Sequence, residues 1–356
     1  MYSNEVNDLY IKKTALILIS IIAVVISACS NNQESSNIFK IGIVSNSNGK
    51  NNSYVNSIAM KGITKFAKEE NLKKDKNYKY ITTSSTKGFE KKITKLADEN
   101  YDLIIGIGNN LSSVLNKVAE NNKSTKFGVI DSRVDQPNVI SINFTEQDGS
   151  FLAGVIAAMK TKTKKIGFIG GDDNEIINRY KYGFISGVKS VNKEIEVLTA
   201  YSNTFNDSKI GSRIANDFFM KDVDIIFPVA GLTSKGVFTT AKKIRRSNQR
   251  EVWVIGADRN EYKHGLPENV TLISLVKKID QAVYDLAKQA KSNEFHGGKT
   301  LIYGLNEDGI KLILADNNVE DPILVKVNEY KDKIQSGALV VPSNKEEYLQ
   351  FKEKLI

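Results

Sequence analysis

The sequence predicts an α/β fold made of two doubly wound lobes, each a mainly parallel sheet between layers of helices. Short apolar runs alternate with amphipathic helical stretches along most of the chain, which is the order that builds parallel sheets. The runs 103–105 and 225–227 are apolar at every position, as strands covered on both faces are. About a dozen such strands are more than one sheet usually contains, so two lobes are expected.

The strands fall into three series, with helical patterns between them. The first series comprises 39–44, 78–82, 103–106, 127–130 and 139–143. The second comprises 165–169, 196–201, 225–229 and 252–256, and the third 271–276, 300–303 and 311–314. The helical patterns are 56–70, 89–100, 112–121, 149–160, 180–191, 209–220, 233–245 and 279–292.

We expect the second series to begin after 144–147 and the third series to return to the first sheet. These expectations give lobe 1 as 39–144 plus 273–318 and lobe 2 as 145–272 plus 319–356. A chain that crosses repeatedly between two lobes suits a protein that closes around a ligand on a hinge.

The composition excludes several classes of protein. The chain has 356 residues, and 50 lysines and arginines against 41 acids give a formal net charge of +9. One cysteine and two histidines allow neither an internal disulfide nor a Cys/His zinc site. A histidine-dependent catalyst would have to use His264 or His296, which lie in loop-like segments. We therefore expect no catalysis, no metal and no cofactor.

The amino terminus has the pattern of an export signal. Two lysines precede an apolar run at 15–27, which is shorter than the ~20 residues of a transmembrane helix. The run ends in Ala28 and Cys29, and this ending resembles a bacterial lipobox, in which the cysteine is acylated. Cys29 is the only cysteine of the chain.

From this pattern we expect 1–28 to be a lipoprotein signal peptide and 29–38 to be a flexible polar tether. The mature protein would be held at the cell membrane by lipid, on the periplasmic face of the inner membrane or on the outer-membrane surface. The alternative is an ordinary signal peptide with an incidental cysteine.

Three basic clusters stand out, and each is expected to be a solvated face. Attraction to anionic lipid or host polyanions is a second possibility, whereas an exported protein is not expected to bind nucleic acid. The clusters are Lys73/Lys74/Lys76/Lys79, Lys160/Lys162/Lys164/Lys165 and Lys242/Lys243/Arg245/Arg246/Arg250.

Polar side chains and glycines follow most of the predicted strands. Open parallel sheets bind ligands outside the carboxyl ends of their strands, where helix N-termini and glycine loops also supply N–H donors. Carboxylates, a lysine and aromatic rings there suit a neutral, polyhydroxylated ligand with a flat part, such as a nucleoside or a sugar. Asp207 is instead expected to cap a helix. The candidate ligand-binding residues are Tyr54, Asp131, Tyr180, Phe205, Gly231, Asp258 and Lys277.

Several segments together resemble the basic membrane protein family, the PnrA-like nucleoside-binding lipoproteins of ABC importers, and look closest to its spirochaete members. The resemblance implies a type I periplasmic-binding-protein fold, in which two α/β lobes are joined by a three-strand hinge. It also implies a purine nucleoside between the lobes and an ABC permease as partner. The segments are 146–154, 165–171, 205–207, 224–227, 230–231, 255–258 and 274–277.

The resemblance assigns roles to residues of this chain. Asp258 and Lys277 would hold ribose hydroxyls with a backbone contact from Gly231, and Asp131 would read the base edge. Phe205 would stack on one base face, and Tyr54 could serve near the other.

The first strand end departs from the family pattern. Asn46 stands where the family has an aspartate, and Val55 where it has a stacking phenylalanine. With one stacking face missing, purine binding is expected to be weaker by roughly 1–3 kcal/mol, or altered in base preference. The alternative is that Tyr54 replaces the missing ring and specificity is unchanged.

Two other functions are weighed against an importer's binding protein. A surface adhesin would keep the fold and use the basic surface on host matrix or polyanions. An enzyme such as a nucleoside hydrolase would need an acid or base at a strand end with its pKa near the working pH, and neither histidine lies at one.

Overall fold

Two six-stranded sheets form the protein in a computed structural model that describes residues 38–46, 52–83, 85–108, 111–247 and 250–355. Of residues 46 and 52–55 only the backbone is described. The expected signal peptide, Cys29 and all but the last residue of the expected tether lie outside these ranges. Lys40–Ile356 form one unit by their contacts. None of the helices described is both long and apolar enough to span a bilayer.

The first sheet is parallel throughout. Its strands are β1 (Ile41–Asn46), β2 (Tyr78–Thr83), β3 (Leu103–Ile107), β4 (Lys126–Ile130), β5 (Val139–Phe144) and β11 (Lys299–Tyr303). Their order is β11-β5-β4-β3-β1-β2. Its helices are α1 (Asn52–Glu69), α2 (Thr86–Asp98), α3 (Ser112–Asn121) and α8 (Ile279–Lys291), of which α8 packs on α1, β3 and β4.

The second sheet repeats this arrangement with one antiparallel edge. Its strands are β6 (Lys165–Gly170), β7 (Glu196–Tyr201), β8 (Ile225–Val229), β9 (Trp253–Gly256), β10 (Thr271–Lys277) and β12 (Ile310–Leu314). Their order is β12-β10-β9-β8-β6-β7, and β12 runs antiparallel to β10. Its helices are α4 (Glu146–Lys160), α5 (Glu175–Val191), α6 (Ser208–Met220), α7 (Ser234–Arg246), α9 (Asp321–Gln335) and α10 (Lys345–Lys354), with 3₁₀ turns at Gly231–Thr233 and Tyr262–Gly265.

The chain crosses between the sheets three times. It leaves the first sheet after β5 at Thr145, returns after β10 at Lys278, and leaves again between β11 and β12 at 304–309. The prediction of two doubly wound α/β lobes is therefore confirmed.

The expectation that the third series returns as a whole to the first sheet is wrong for two of its three strands. Only β11 joins the first sheet, whereas β10 pairs with β9 and β12 pairs with β10 in the second. The reason is that α8, which packs on α1, carries the chain across only after β10. We accordingly propose lobe 1 as 40–144 plus 279–303 and lobe 2 as 146–277 plus 310–355.

Each lobe has an apolar core between its sheet and its helices. In lobe 1, Phe89 of α2 and Leu115 of α3 pack with Phe127 of β4. In lobe 2, Phe218 of α6 and Phe238 of α7 pack with the strands beneath them. These cores join the helices of each lobe to its sheet.

Glycines let α4 and α5 touch backbone to backbone. A Cβ at Gly154 would lie 2.2 Å from the carbonyl oxygen of Phe184, and one at Gly187 would lie 2.0 Å from that of Phe151. No side chain fits in such a gap. The close packing holds α4 against α5, and α4 begins at Glu146 beside the first crossover.

Candidate ligand-binding site at the hinge

Asp131 and Asp258 occupy equivalent places in the two lobes. Each follows the fourth strand of its lobe, and their φ angles of 64° and 65° lie in the left-handed region, which aspartate tolerates better than most residues. The amide of Asp131 donates to the carbonyl of Ile142 in β5 at 3.0 Å, and the amide of Lys277 in β10 donates to the carbonyl of Asp258 at 3.3 Å. Both carboxylates therefore lie where the fourth strand meets the fifth.

Lys277 ends β10 at the second crossover and connects the two lobes. Its ammonium donates to Asp131 Oδ1 at 2.7 Å and to Glu146 Oε1 at 2.8 Å. The ring centroid of Phe144 lies 4.7 Å from the same nitrogen, which adds a cation–π contact. Only 5% of the Lys277 side chain is exposed, so these contacts replace its water shell.

Glu146 links Lys277 to helix α5. Its second oxygen, Oε2, accepts from Arg179 Nε at 2.7 Å, and Arg179 also pairs with Glu175 at 2.8 Å. The Glu146 side chain is fully buried, and each of its oxygens is held by a different cation. Glu146 was not among the residues expected at the site. The available signal was an acid placed directly after a strand that leads out of its sheet.

Tyr180 reaches the site through its hydroxyl. The hydroxyl contacts Asp258 Oδ1, while the ring is 1% exposed and packs edge-on against Phe227 with centroids 6.2 Å apart. The sequence suggested a ring face offered to a ligand. In the structure Tyr180 instead orients a carboxylate.

Burial and charge act against each other in this network. Burial alone would lower the pKa of Lys277, but the nearby carboxylates, Asp131 foremost, outweigh it and raise that pKa. Burial raises the pKa of Asp258, and the ammonium of Lys277 offsets only part of that rise. For Glu146, burial opposes ionisation, yet Lys277 and Arg179 prevail and lower its pKa. Lys277 and Glu146 are therefore both charged at neutral pH.

Three polar side chains meet near the end of β1. Tyr80 of β2 places its hydroxyl 2.7 Å from Ser45 Oγ and in contact with Asn56 Oδ1, and Ser45 Oγ lies 2.8 Å from the same Asn56 oxygen. Three of the expected site residues belong to this region. Asn46 ends β1, Tyr54 and Val55 belong to the first turn of α1, and the side chains of all three lie outside what is described.

Phe205 and Gly231 lie on neighbouring loops at the strand ends of lobe 2. The half-buried ring of Phe205 covers Gly171, where a Cβ would lie 2.2 Å from a ring atom. The carbonyl of Phe205 accepts from the amide of Leu232 at 2.9 Å, next to Gly231 with its φ of 58°.

The expected helix cap at Asp207 is confirmed. Its Oδ1 accepts from the amides of Lys209 at 2.8 Å and Ile210 at 3.3 Å. The carboxylate of Asp207 therefore accepts hydrogen bonds from backbone amides at the start of α6, as a helix cap does.

Asp148 lies two residues beyond Glu146 in the first turn of α4, and burial raises its pKa to about 6. It lines a cavity of about 200 Å³ with Thr145 and Glu307 beside the third crossover. Since the folded protein holds this proton more tightly than the unfolded chain, stability is lost as the pH rises from about 4 to about 6.

Asp148→Asn is therefore expected to raise the free energy of unfolding at pH 7.5 by roughly 1–3 kcal/mol and to change little at pH 4. Urea unfolding at both pH values measures the difference, and Asp217→Asn at an exposed position of α6 is the control. An equal effect of Asp148→Asn at both pH values would show that ionisation is not the cause.

The fold is shared with solved structures. Two α/β lobes with three crossovers are the architecture of ABC solute-binding proteins, which bind a substrate without transforming it. A solved solute-binding protein of an ABC transporter system from Aeropyrum pernix has the same fold, with a TM-score of 0.75 at 24% identity over 89% of this chain and 97% of that one.

Sequence comparisons identify the family. Residues 39–345 match the Bmp family, described as ABC transporter substrate-binding protein PnrA-like, and the chain belongs to this family. Relatives include the ABC transporter nucleoside-binding protein BmpA of Lactococcus lactis, 35% identical over 85% of this chain and 89% of that protein. Basic membrane protein D of Borreliella burgdorferi is 35% identical over 79% of this chain and 83% of that protein. The resemblance noted in the sequence is thus confirmed.

Proposed function

We propose that this solute-binding protein binds a nucleoside, most favourably a purine nucleoside, and delivers it to an ABC permease. Acylated Cys29 anchors the protein to the membrane. The observation that carries the proposal is the network of Asp131, Lys277 and Asp258, which draws carboxylates from equivalent strand ends of both lobes around one ammonium.

The chemistry of the network suits a sugar with vicinal hydroxyls. Hydroxyls donate to the carboxylate of Asp258 and accept from the ammonium of Lys277, and such charge-assisted bonds are the stronger kind. The cations and carboxylates already neutralise most of each other's charge, so an uncharged ligand fits better than an ionised one. Phe205 offers a half-buried ring for the base. The name of the Lactococcus lactis relative supports the same ligand class.

The ligand class is tested by calorimetric titration with adenosine, guanosine, inosine, cytidine and uridine, with ribose and the free bases as controls. We expect purine nucleosides to bind more tightly than pyrimidine nucleosides, and ribose or base alone to bind at least tenfold more weakly. Binding of ribose as tightly as any nucleoside would indicate a sugar-binding protein.

The anchor is tested separately with Cys29→Ala in cells. We expect the acylated protein to partition into the detergent phase, because each buried CH₂ contributes about 0.8 kcal/mol to membrane binding. The variant lacks the thiol that is acylated, so we expect it to carry no acyl chains. A variant that still carries acyl groups by mass spectrometry would place the lipid elsewhere.

A further inference from the structure

The three basic clusters of the sequence differ in how far their cations are paired with acids. Most members of the second and third clusters are neutralised, in the pairs Lys160–Glu320, Lys162–Glu251, Lys164–Glu194, Arg246–Glu268 and Arg250–Asp222. In the first cluster, Lys79 pairs with Glu99. Lys73, Lys74 and Lys76 are exposed, and their ammonium groups have no bonding partner among the residues described.

These three lysines lie beside the point where the folded chain begins. They precede β2, and the amide of Ile41 at the start of β1 donates to the carbonyl of Asn77 at 2.8 Å. This is the amino-terminal edge of the first sheet. Lys123, also exposed and without a partner among the residues described, precedes β4 at the same edge. We call Lys73, Lys74, Lys76 and Lys123 the amino-edge lysines.

The amino edge faces away from the ligand site. Asp131 and the other site residues of lobe 1 follow the carboxyl ends of parallel strands, so they lie at the opposite edge of the same sheet. Asp75 is an exposed acid among Lys73, Lys74 and Lys76, and exposed Glu120 lies three residues before Lys123, so the four amino-edge lysines exceed these two acids by two charges.

The sequence limits how far this edge can be from a lipid on Cys29. Roughly eleven residues separate Cys29 from Lys40, which span at most about 40 Å when fully extended. A random-coil chain of that many residues has a root-mean-square end-to-end distance of about 20 Å. The edge is thus held within a few Debye lengths, each about 8 Å at physiological salt, of the surface that carries the lipid.

We propose that the amino-edge lysines lie against anionic lipid headgroups of the membrane that holds Cys29, so that the ligand site points away from the bilayer. The proposal rests on the lipid anchor of the proposed function. Each lysine close to an anionic surface strengthens attraction roughly fivefold. Three or four together hold the lobe in one orientation rather than only near the membrane.

The test uses the acylated protein in two kinds of vesicle, phosphatidylcholine alone and phosphatidylcholine with phosphatidylglycerol. The acetylation rate of each lysine by an amine-reactive ester is read by mass spectrometry. Lys345, Lys352 and Lys354 of α10, exposed on lobe 2, are the matched controls within the same molecule. We expect Lys73, Lys74, Lys76 and Lys123 to react about fivefold or more slowly on the anionic vesicles, and 0.5 M salt to remove the difference.

Equal rates on both vesicles would overturn the proposal, and so would an equal slowing of the α10 lysines. A second arm compares the variant K73E/K74E/K76E with the control K345E/K352E/K354E, which has the same net charge. Only K73E/K74E/K76E is expected to restore the faster acetylation of Lys123 on anionic vesicles. If both variants restore it, net charge alone explains the slower acetylation. If the protein floats with neither vesicle, the lipid anchor of the proposed function is contradicted instead. Nucleoside titration of both variants checks the ligand site independently.

Discussion

Replacing Lys277 by methionine is expected to destabilise the protein by about 3–5 kcal/mol at pH 7.5 and to abolish nucleoside binding. The change removes the one ammonium that touches both Asp131 and Glu146, and it leaves carboxylates buried without that compensation. Urea unfolding and calorimetric titration measure the two effects.

Lys278→Met is the matched control, because its side chain is 27% exposed and pairs with Asp280 at 3.6 Å in the same crossover. We expect it to cost less than about 1 kcal/mol. The pH dependence adds a second check. Without Lys277 the buried carboxyls take up protons more readily, so Lys277→Met should lose less stability at pH 5 than at pH 7.5. A loss that is independent of pH would argue against unpaired carboxylates as the cause.

Glu146→Gln is expected to destabilise the protein by about 2–4 kcal/mol and to weaken nucleoside binding roughly tenfold. The amide removes the charge that Lys277 and Arg179 share, so both cations stay buried with less compensation, and Asp131 remains the carboxylate that pairs with the ammonium of Lys277. Thermal unfolding and nucleoside titration measure the two losses.

Glu175→Gln provides a control with the same partner. Glu175 also pairs with Arg179, but it is 89% exposed, and exposed ion pairs contribute about 1 kcal/mol or less. If both substitutions lower the free energy of unfolding equally, Glu146 has no special part in holding the site together. If Glu146→Gln lowers stability but leaves affinity unchanged, the role of Glu146 is structural only.

The folding class was predictable because its signals are local. Apolar strands of five or six residues alternate with amphipathic helices, and that order fixes a doubly wound arrangement before any contact is known. The cap at Asp207 was predictable for the same reason, since its partners are two and three residues away.

Sheet membership of the last strands was not predictable from position in the chain. β10 and β12 pair across more than thirty residues, around a helix and a strand that belong to the other lobe. No local pattern in the sequence distinguishes β10 from β11, so the three strands looked like one group.

The site was predictable in part. Aspartates and a lysine at strand ends are visible in sequence, because parallel strands bring their carboxyl ends to one edge. Glu146 escaped notice because an acid in the first turn of a helix is ordinarily explained by the helix dipole. Its two cations come from residues 33 and 131 positions away, and only the fold shows that they meet.

The measurement that tests the central claim most directly is titration of the wild type and of Asp258→Asn with the purine nucleoside that binds the wild type best. Losing a charge-assisted bond to ribose should weaken binding by roughly 1.5–3 kcal/mol, about ten- to a hundredfold, while the exposed strand-end variant Asp172→Asn stays at wild-type affinity. Unchanged affinity of a folded Asp258→Asn, or a wild type that binds no nucleoside, would contradict a nucleoside site built on Asp131, Lys277 and Asp258.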